Sequence, residues 1–336
     1  MVARRGPDGE VITDPEAPSP MAFAGQVIHP GPPALRERYP DGVQITPYGV
    51  PDWIPYARLL GELPPPPQGL GWDEARVLGV QTANALGRRS GDPLWGADEA
   101  HTPTGWTWAR LPLTRQIALV PIELYGAFRH VGGVSTSGND RRRRGVSGTE
   151  GVQPRCRIEG ELTEDVVLAI EDEIERPLPG AYREFLVATN GGRASVPAVH
   201  PKAGFVVDQP LFGSAPAGGD PFTDLVQQHL MQRDRIEAGL LPIGFVQGGL
   251  LVLGLEYGTV SYLDDDDPAD QQGYGPDAIT RNLLQWLEPS FAAFWSALRA
   301  VPASLQETAE RHAAEGWARI LPHPQLGRSL PADRRA

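Results

Sequence analysis

Cysteine is almost absent from this 336-residue chain: Cys156 stands alone, so no internal disulfide can form and no cysteine-rich zinc site can be built. Lysine is equally scarce, appearing only at Lys202, and nearly all positive charge is arginine, a compositional bias to which no function is assigned. No apolar run reaches the roughly 20 residues that a spanning helix needs. The opening MVARRGPDGEVITDPEAPSP lacks the apolar stretch of a signal peptide, which predicts a cytosolic protein without a membrane partner. A net positive charge is missing too. With 30 basic against 42 acidic residues the formal charge is −12, which argues against general nucleic-acid binding, because displacing counterions from phosphates takes a positive surface. An acidic protein faces a basic partner more readily.

What is present suggests two modest cores, since the length exceeds the roughly 150 residues of one domain. Residues 1–20, rich in Pro, Gly and acids, read as a disordered leader. A first domain is expected over 21–138. A break at 139–155 carries Arg141 to Arg144 followed by Gly, Ser and Thr and reads as a linker. A second domain is expected over 156–302. The tail at 303–336 holds an amphipathic piece around Leu305 to Ile320 and then a segment expected to be disordered. The fold class expected is α+β over two domains, the second a mixed α/β domain with a small antiparallel sheet.

In the second domain, Thr163 precedes Glu164 and Asp165 and can cap a helix on which Leu162, Val166, Val167, Ile170 and Ile174 recur at helical spacing. The run LPGAYREFLVATNGG places Pro179 at a first turn, Tyr182, Phe185 and Leu186 on one face, and Asn190-Gly191-Gly192 as a stop. Downstream, LLVLGLEYGTVSYL reads as a hairpin turning around Glu256-Tyr257-Gly258. From Ile279 to Leu298 apolar residues return at helical spacing, and one helix bent at Pro289 is predicted. In the first domain, Trp106 to Leu111 and Arg115 to Val120 flank Pro112-Leu113-Thr114 as a hairpin, and Pro121 opens a helix containing Leu124, Phe128 and His130. An Asp-Glu-Ala-Arg helix start lies near Asp73.

The order of helix, helix, strands and closing helix resembles the SUKH superfamily, the Smi/Knr-like domains, over essentially all of Cys156 to Pro302. The residues that carry it are Leu178, Pro179, Tyr182, Phe185, Leu186, Asn190, Gly191 and Gly192, then Leu241-Pro242-Ile243-Gly244 and the hairpin. The resemblance implies a binding domain, in bacteria commonly an immunity protein that blocks a secreted nuclease toxin. By spacing, the motif residues themselves are core and helix cap, so a contact surface is sought among exposed acids. Asp264, Asp265, Asp266 and Asp267 are the candidate, since clustered carboxylates attract a basic nuclease face. A solvated acidic loop and a calcium site are the alternatives, the latter without the ligand and glycine order of an EF-hand.

The hairpin and helix of the first domain make the order of a ββα-metal frame, and they resemble the HNH and endonuclease VII-like toxin nucleases of the WHH kind. The upstream Tyr39-Pro40, Gly42-Val43, Pro51-Asp52 and Pro55-Tyr56-Ala57 and the downstream Leu119-Val120-Pro121, Leu124 and Arg129-His130 extend the likeness. Such nucleases use histidine as general base and as metal ligand. Where the family reads Trp-His-His this chain has Trp108-Ala109-Arg110, and where the helix brings an early histidine it has Tyr125; of that set only His130 remains. Alanine can neither take a proton nor bind a metal, arginine stays charged, and tyrosine is a poor substitute. The expectation is therefore no catalysis, no metal and no cofactor, with a basic nuclease toxin as protein partner. Two alternatives stay open: a residual metal-dependent nuclease using Arg110, Tyr125, His101 and His130, and a regulatory scaffold whose two domains bind each other.

Overall fold

A computed structural model describes residues 3–5, 11–13, 23–96, 100–112, 114–128, 145–148, 152–215, 221–264, 276–322 and 324–327. The first half of the chain runs β1 (Ala3–Arg5), β2 (Val11–Thr13), β3 (Val27–Ile28), α1 (Pro33–Arg38), β4 (Val43–Gln44), β5 (Leu59–Glu62), α2 (Trp72–Arg89), β6 (Trp106–Arg110), β7 (Gln116–Pro121) and α3 (Ile122–Gly126). The second continues with β8 (Cys156–Arg157), α4 (Glu164–Glu173), α5 (Gly180–Thr189), β9 (Arg193–Ala194), β10 (Ala198–Val199), β11 (Val206–Val207), α6 (Leu225–Gln232), β12 (Leu240–Val246), β13 (Gly249–Gly254) and β14 (Val260–Asp264). It closes with α7 (Pro276–Asn282), β15 (Leu284–Glu288), α8 (Phe291–Ala297), β16 (Arg299–Ala300), α9 (Ala303–Glu315) and β17 (Trp317–Ile320). The described residues thus form a mixed α+β structure whose named strands all pair antiparallel in several small sheets. Among them no helix is long and apolar enough to cross a membrane.

Two four-stranded sheets organise the rest. One has the order β12-β13-β14-β15 and backs the large core that holds Tyr182, Leu186, Phe291 and Phe294. The other has the order β17-β5-β7-β6, so the hairpin at 106–121 forms as the alternation and the Pro-Leu-Thr break predict, with Trp108 opposite Leu119 and Ala109 opposite Ala118. Its outermost strand comes from the far end of the chain. The segment at 303–336 is therefore not a loose tail in its described part: α9 lies against α2 with Arg89 paired to Glu310 at 3.4 Å, and β17 pairs along β5. An edge strand offers unpaired N–H and C=O groups, and Trp317 to Ile320 takes those of β5. In the same way β1 and β2 pair within the segment expected to be a disordered leader, where Val11-Ile12-Thr13 is a β-branched run.

The closing region of the second half departs from the predicted bent helix. Ile279 to Leu298 contains the end of α7, the edge strand β15 and the helix α8, for which Ser290 Oγ accepts the N–H of Ala293 at 3.1 Å as a cap. The run Leu283-Leu284-Gln285-Trp286-Leu287 is apolar at both helical and strand spacing, and the free edge of β14 decides for the strand. On α4, Thr163 stands at the cap position, but its side chain makes no capping bond. At the end of α5, Asn190 adopts the left-handed conformation (φ 45°), and its side chain holds Ser214 through bonds of 2.7 and 3.2 Å. Asn190→Ala is expected to lower the unfolding free energy by about 2 kcal/mol, from the left-handed backbone and the lost side-chain bonds together. Asn190→Gly relieves the first of these and is expected to lose less. Urea midpoints of the two variants check the order.

Helix α2 is the pivot of the molecule. Although it carries Asp73, Arg76, Gln81, Thr82 and Asn84, all five are buried, because sheet, α9 and the second half close over it from different sides. Small residues two turns apart allow that closeness: a β-carbon at Gly79 would overlap the guanidinium of Arg110, and one at Gly87 would overlap the indole of Trp95.

Candidate functional site

Strand alternation sends Trp108 and Arg110 to one face of β6 and Ala109 to the other. On the α2 face, the Trp108 indole donates to Asn84 Oδ1 at 2.7 Å and stacks on Trp95 with ring centres 6.1 Å apart. The Arg110 guanidinium lies over Gly79 in a cleft also lined by Arg76, Trp108, Tyr125 and Gln247. On the opposite face Ala109 is fully buried in a cluster that contains Trp53, Tyr125 and Phe128. Trp53 packs on Tyr125 at 5.3 Å and edge-on to Phe128 at 5.6 Å. Short helix α3 thus brings Tyr125 into the same apolar cluster as Ala109.

The donor set there does not suit a divalent ion. Ala109 has no ligand atom, Arg110 is a cation at any working pH, and Tyr125 would have to lose a phenolic proton while almost fully buried. His130 lies outside the described residues, as do Arg141 to Arg144. Among the described residues no group of three or more His, Cys, Asp or Glu side chains is placed to hold a metal. His101, a candidate for a rearranged site, is buried, and its Nε2 lies 3.1 Å from the carbonyl oxygen of Ala194. The nearest acid on α3, Glu123, accepts from the Tyr39 hydroxyl at 2.5 Å and pairs with Arg38 at 3.3 Å. Burial and the Glu123 charge push the Tyr39 phenol far above its ordinary value, so it stays a hydrogen-bond donor.

The acidic candidate requires a correction. Asp264 is not part of an exposed contact surface: it is the last residue of β14, 3% exposed, and its carboxylate meets Arg76 of α2 at 3.2 Å. Pairing of Gly249 with Asp264 keeps it in the sheet, so its side chain follows the pleat inward. Asp265, Asp266 and Asp267 lie outside the described residues. Of the fold-motif residues, Leu178, Tyr182, Leu186, Gly191 and Gly192 are buried and Phe185 partly so; Tyr182, Phe185 and Phe291 form an aromatic cluster, with Tyr182 edge-on to Phe291 at 5.0 Å. Pro179 stands at the cap of α5.

Unforeseen were the polar groups by which the second half meets the first. Arg76 also donates to the Tyr262 hydroxyl at 3.2 Å. Asp73 accepts the N–H of Gly145 at 2.8 Å, and Asp208 accepts the N–H of Thr102 at 3.2 Å. Burial pushes the Asp208 carboxyl above its usual range, against the opposing pull of its bonds to Thr102 and of His101. The one legible signal was on α2, where Gly79, Ala83 and Gly87 recur every fourth residue and mark a helix made for close approach.

A search among curated proteins finds no match to this chain. Residues 98–140 do match a family model, described as a nuclease of the HNH/ENDO VII superfamily with conserved WHH. The hairpin β6-β7 and helix α3 lie within that span, so the chain carries a segment similar to the WHH nucleases of the HNH/ENDO VII superfamily.

Proposed function

We propose that this chain is a non-catalytic binding protein of the immunity type, which grips a nuclease toxin of the WHH kind and blocks it. In this reading residues 21–138 form a nuclease-like unit that no longer cuts, and 156–302 a SUKH-like binding unit, both residing in the cytosol. The observation that carries it is the chemistry at 109, 110 and 125: a methyl group, a permanent cation and a buried phenol stand where the likeness calls for imidazoles. Loss of a general base alone removes about 10² to 10⁴ in rate, and the missing metal removes further stabilisation of charge at the phosphate.

A second reading, a metal-dependent nuclease, is favoured by the family match itself, which spans His130. A scaffold whose halves bind each other is the third, and it draws on the hydrogen bonds between them.

One experiment separates the first two. Full-length protein and its His130→Ala variant are incubated with supercoiled plasmid and Mg²⁺, Mn²⁺ or Zn²⁺, and an active WHH nuclease is titrated with the same protein. Neither preparation is expected to nick, whereas nuclease activity should fall to zero near equimolar protein. Nicking that disappears in the histidine variant would establish the enzyme instead.

A further inference from the structure

His200 follows β10 directly and is 0% exposed. Its imidazole lies between two phenyl rings, with centres 6.0 Å from Phe205 at 17° and 6.0 Å from Phe294 of α8 at 7°. Among the described residues neither ring nitrogen makes a hydrogen bond. The charged groups that face the ring are Glu288 of β15, whose Oε1 lies 3.4 Å from Nε2, and Lys202, which holds the same Oε1 at 3.0 Å. Two more charges sit on elements packed nearby: Arg299 of β16, which donates to the carbonyls of Ser296 and Leu298, and Asp73 of α2, which backs Gly204. A buried polar ring left without a bond is uncommon, since such groups are nearly always satisfied.

The residues that follow this ring tie three parts of the chain together. The His200 carbonyl accepts the N–H groups of Ala203 at 3.1 Å and Gly204 at 3.0 Å, which closes a turn. On that turn the Pro201 carbonyl accepts the N–H of Val146 at 3.0 Å, and Gly204 (φ 62°) lies so close to α2 that a β-carbon there would overlap Asp73. Asp73 in turn takes the N–H of Gly145. The imidazole, set among Phe205 and Phe294 of the second half's core, is therefore the anchor of a turn on which α2, residues 145–146 and the second half meet.

We propose that His200 is a proton-operated latch: seated and neutral it holds the turn at 200–204 closed on α2 and on residues 145–146, and on taking a proton it leaves its seat and releases that junction. The proposal is independent of the immunity reading. A neutral ring loses little in this seat, whereas an imidazolium there gives up its hydration for one carboxylate that Lys202 already shares. Burial accordingly pushes the His200 imidazole below its ordinary value, against the pull of Glu288 and with the Lys202 charge adding to the effect. Once released into water the ring titrates near its ordinary value of about 6.5, so the open form binds the proton first. The free energy that holds the latch shut is thus complete above about pH 6.5, is lost as pH falls below it, and levels off once the seated ring also takes a proton.

Hydrogen exchange of the full chain tests this, read on the amides of Val146, Ala203 and Gly204 between about pH 7.5 and about pH 5 and corrected for the intrinsic pH dependence of exchange. In the unmodified chain the opening of these amides should rise as pH falls below about 6.5, by up to about tenfold per pH unit as one proton requires, while the amides of the β5-β7 pair keep their protection. In His200→Phe, whose ring fills the seat and takes no proton, opening at the same amides should not change with pH. An equal rise in both proteins, no rise in either, or a rise that extends over the whole chain overturns the proposal. Should His200→Phe not fold, as judged by circular dichroism, the carbon resonances of the His200 ring in the unmodified chain decide. Titration of the ring in step with the opening of the three amides supports the latch, and any other course overturns it.

Discussion

Asp264→Ala is expected to lower the unfolding free energy by about 3 kcal/mol, among the largest effects of any single substitution of a charged residue in this chain. The pair it breaks is almost dry, with side-chain exposures of 7% for Arg76 and 4% for Asp264. Arginine cannot escape by losing its proton, so removing the carboxylate leaves a cation inside the protein. Arg76 keeps its bond to the Tyr262 hydroxyl, which in turn donates to the carbonyl of Gly248 at 3.0 Å, and this holds the loss to the lower end of the range for buried pairs. The contrast is with Arg183 and Glu164, where the acid is well exposed and water screens the pair, so that its loss should be small. Urea unfolding of Asp264→Ala and Glu164→Ala side by side measures the difference. Equal, small losses would mean that water reaches Arg76, and that the hold of β14 on α2 is weak.

The second large effect is expected at Trp53. Its ring is 1% exposed and is packed against Tyr125 and Phe128, so Trp53→Ala should cost about 3 to 5 kcal/mol through lost burial and the cavity left behind. This position tests the reading of the hairpin as well as stability. The indole helps to fill the cluster shared by Ala109 and Tyr125, and a large loss means that this ground is true core. If Trp53→Ala unfolds at nearly the same denaturant concentration as the unmodified chain, the cluster is loosely packed. Room for ligands and water would then exist on the Ala109 face of β6 as well as in the cleft that Arg110 lines on the other face.

How much of this could be read in advance depended on distance along the chain. The hairpin from Trp106 to Pro121 was legible, because strand alternation and a proline-containing break act over two to four residues. So was the stop at Asn190, whose left-handed backbone suits asparagine before two glycines. The segment from Ile279 to Leu298 was not, since its apolar residues satisfy both periods and only the waiting edge of β14 separates them. Asp264 misled for a related reason. Four adjacent aspartates look like one unit, but the register of β14 binds the first of them into the sheet.

The residues by themselves determined what chemistry is possible: a methyl, a guanidinium and a phenol at 109, 110 and 125, a single thiol, an acidic balance, and the local caps and turns. These follow from the covalent nature of side chains and from interactions within a turn or two. Only the tertiary structure decided that β17 completes the sheet of β5, that Arg76 takes Asp264 from 188 residues away, and that Gln209 and Gln247 close on the backbone of β6. Such pairings depend on which strand edges and buried polar groups still lack partners once the local elements have formed, and that is a property of the assembled chain.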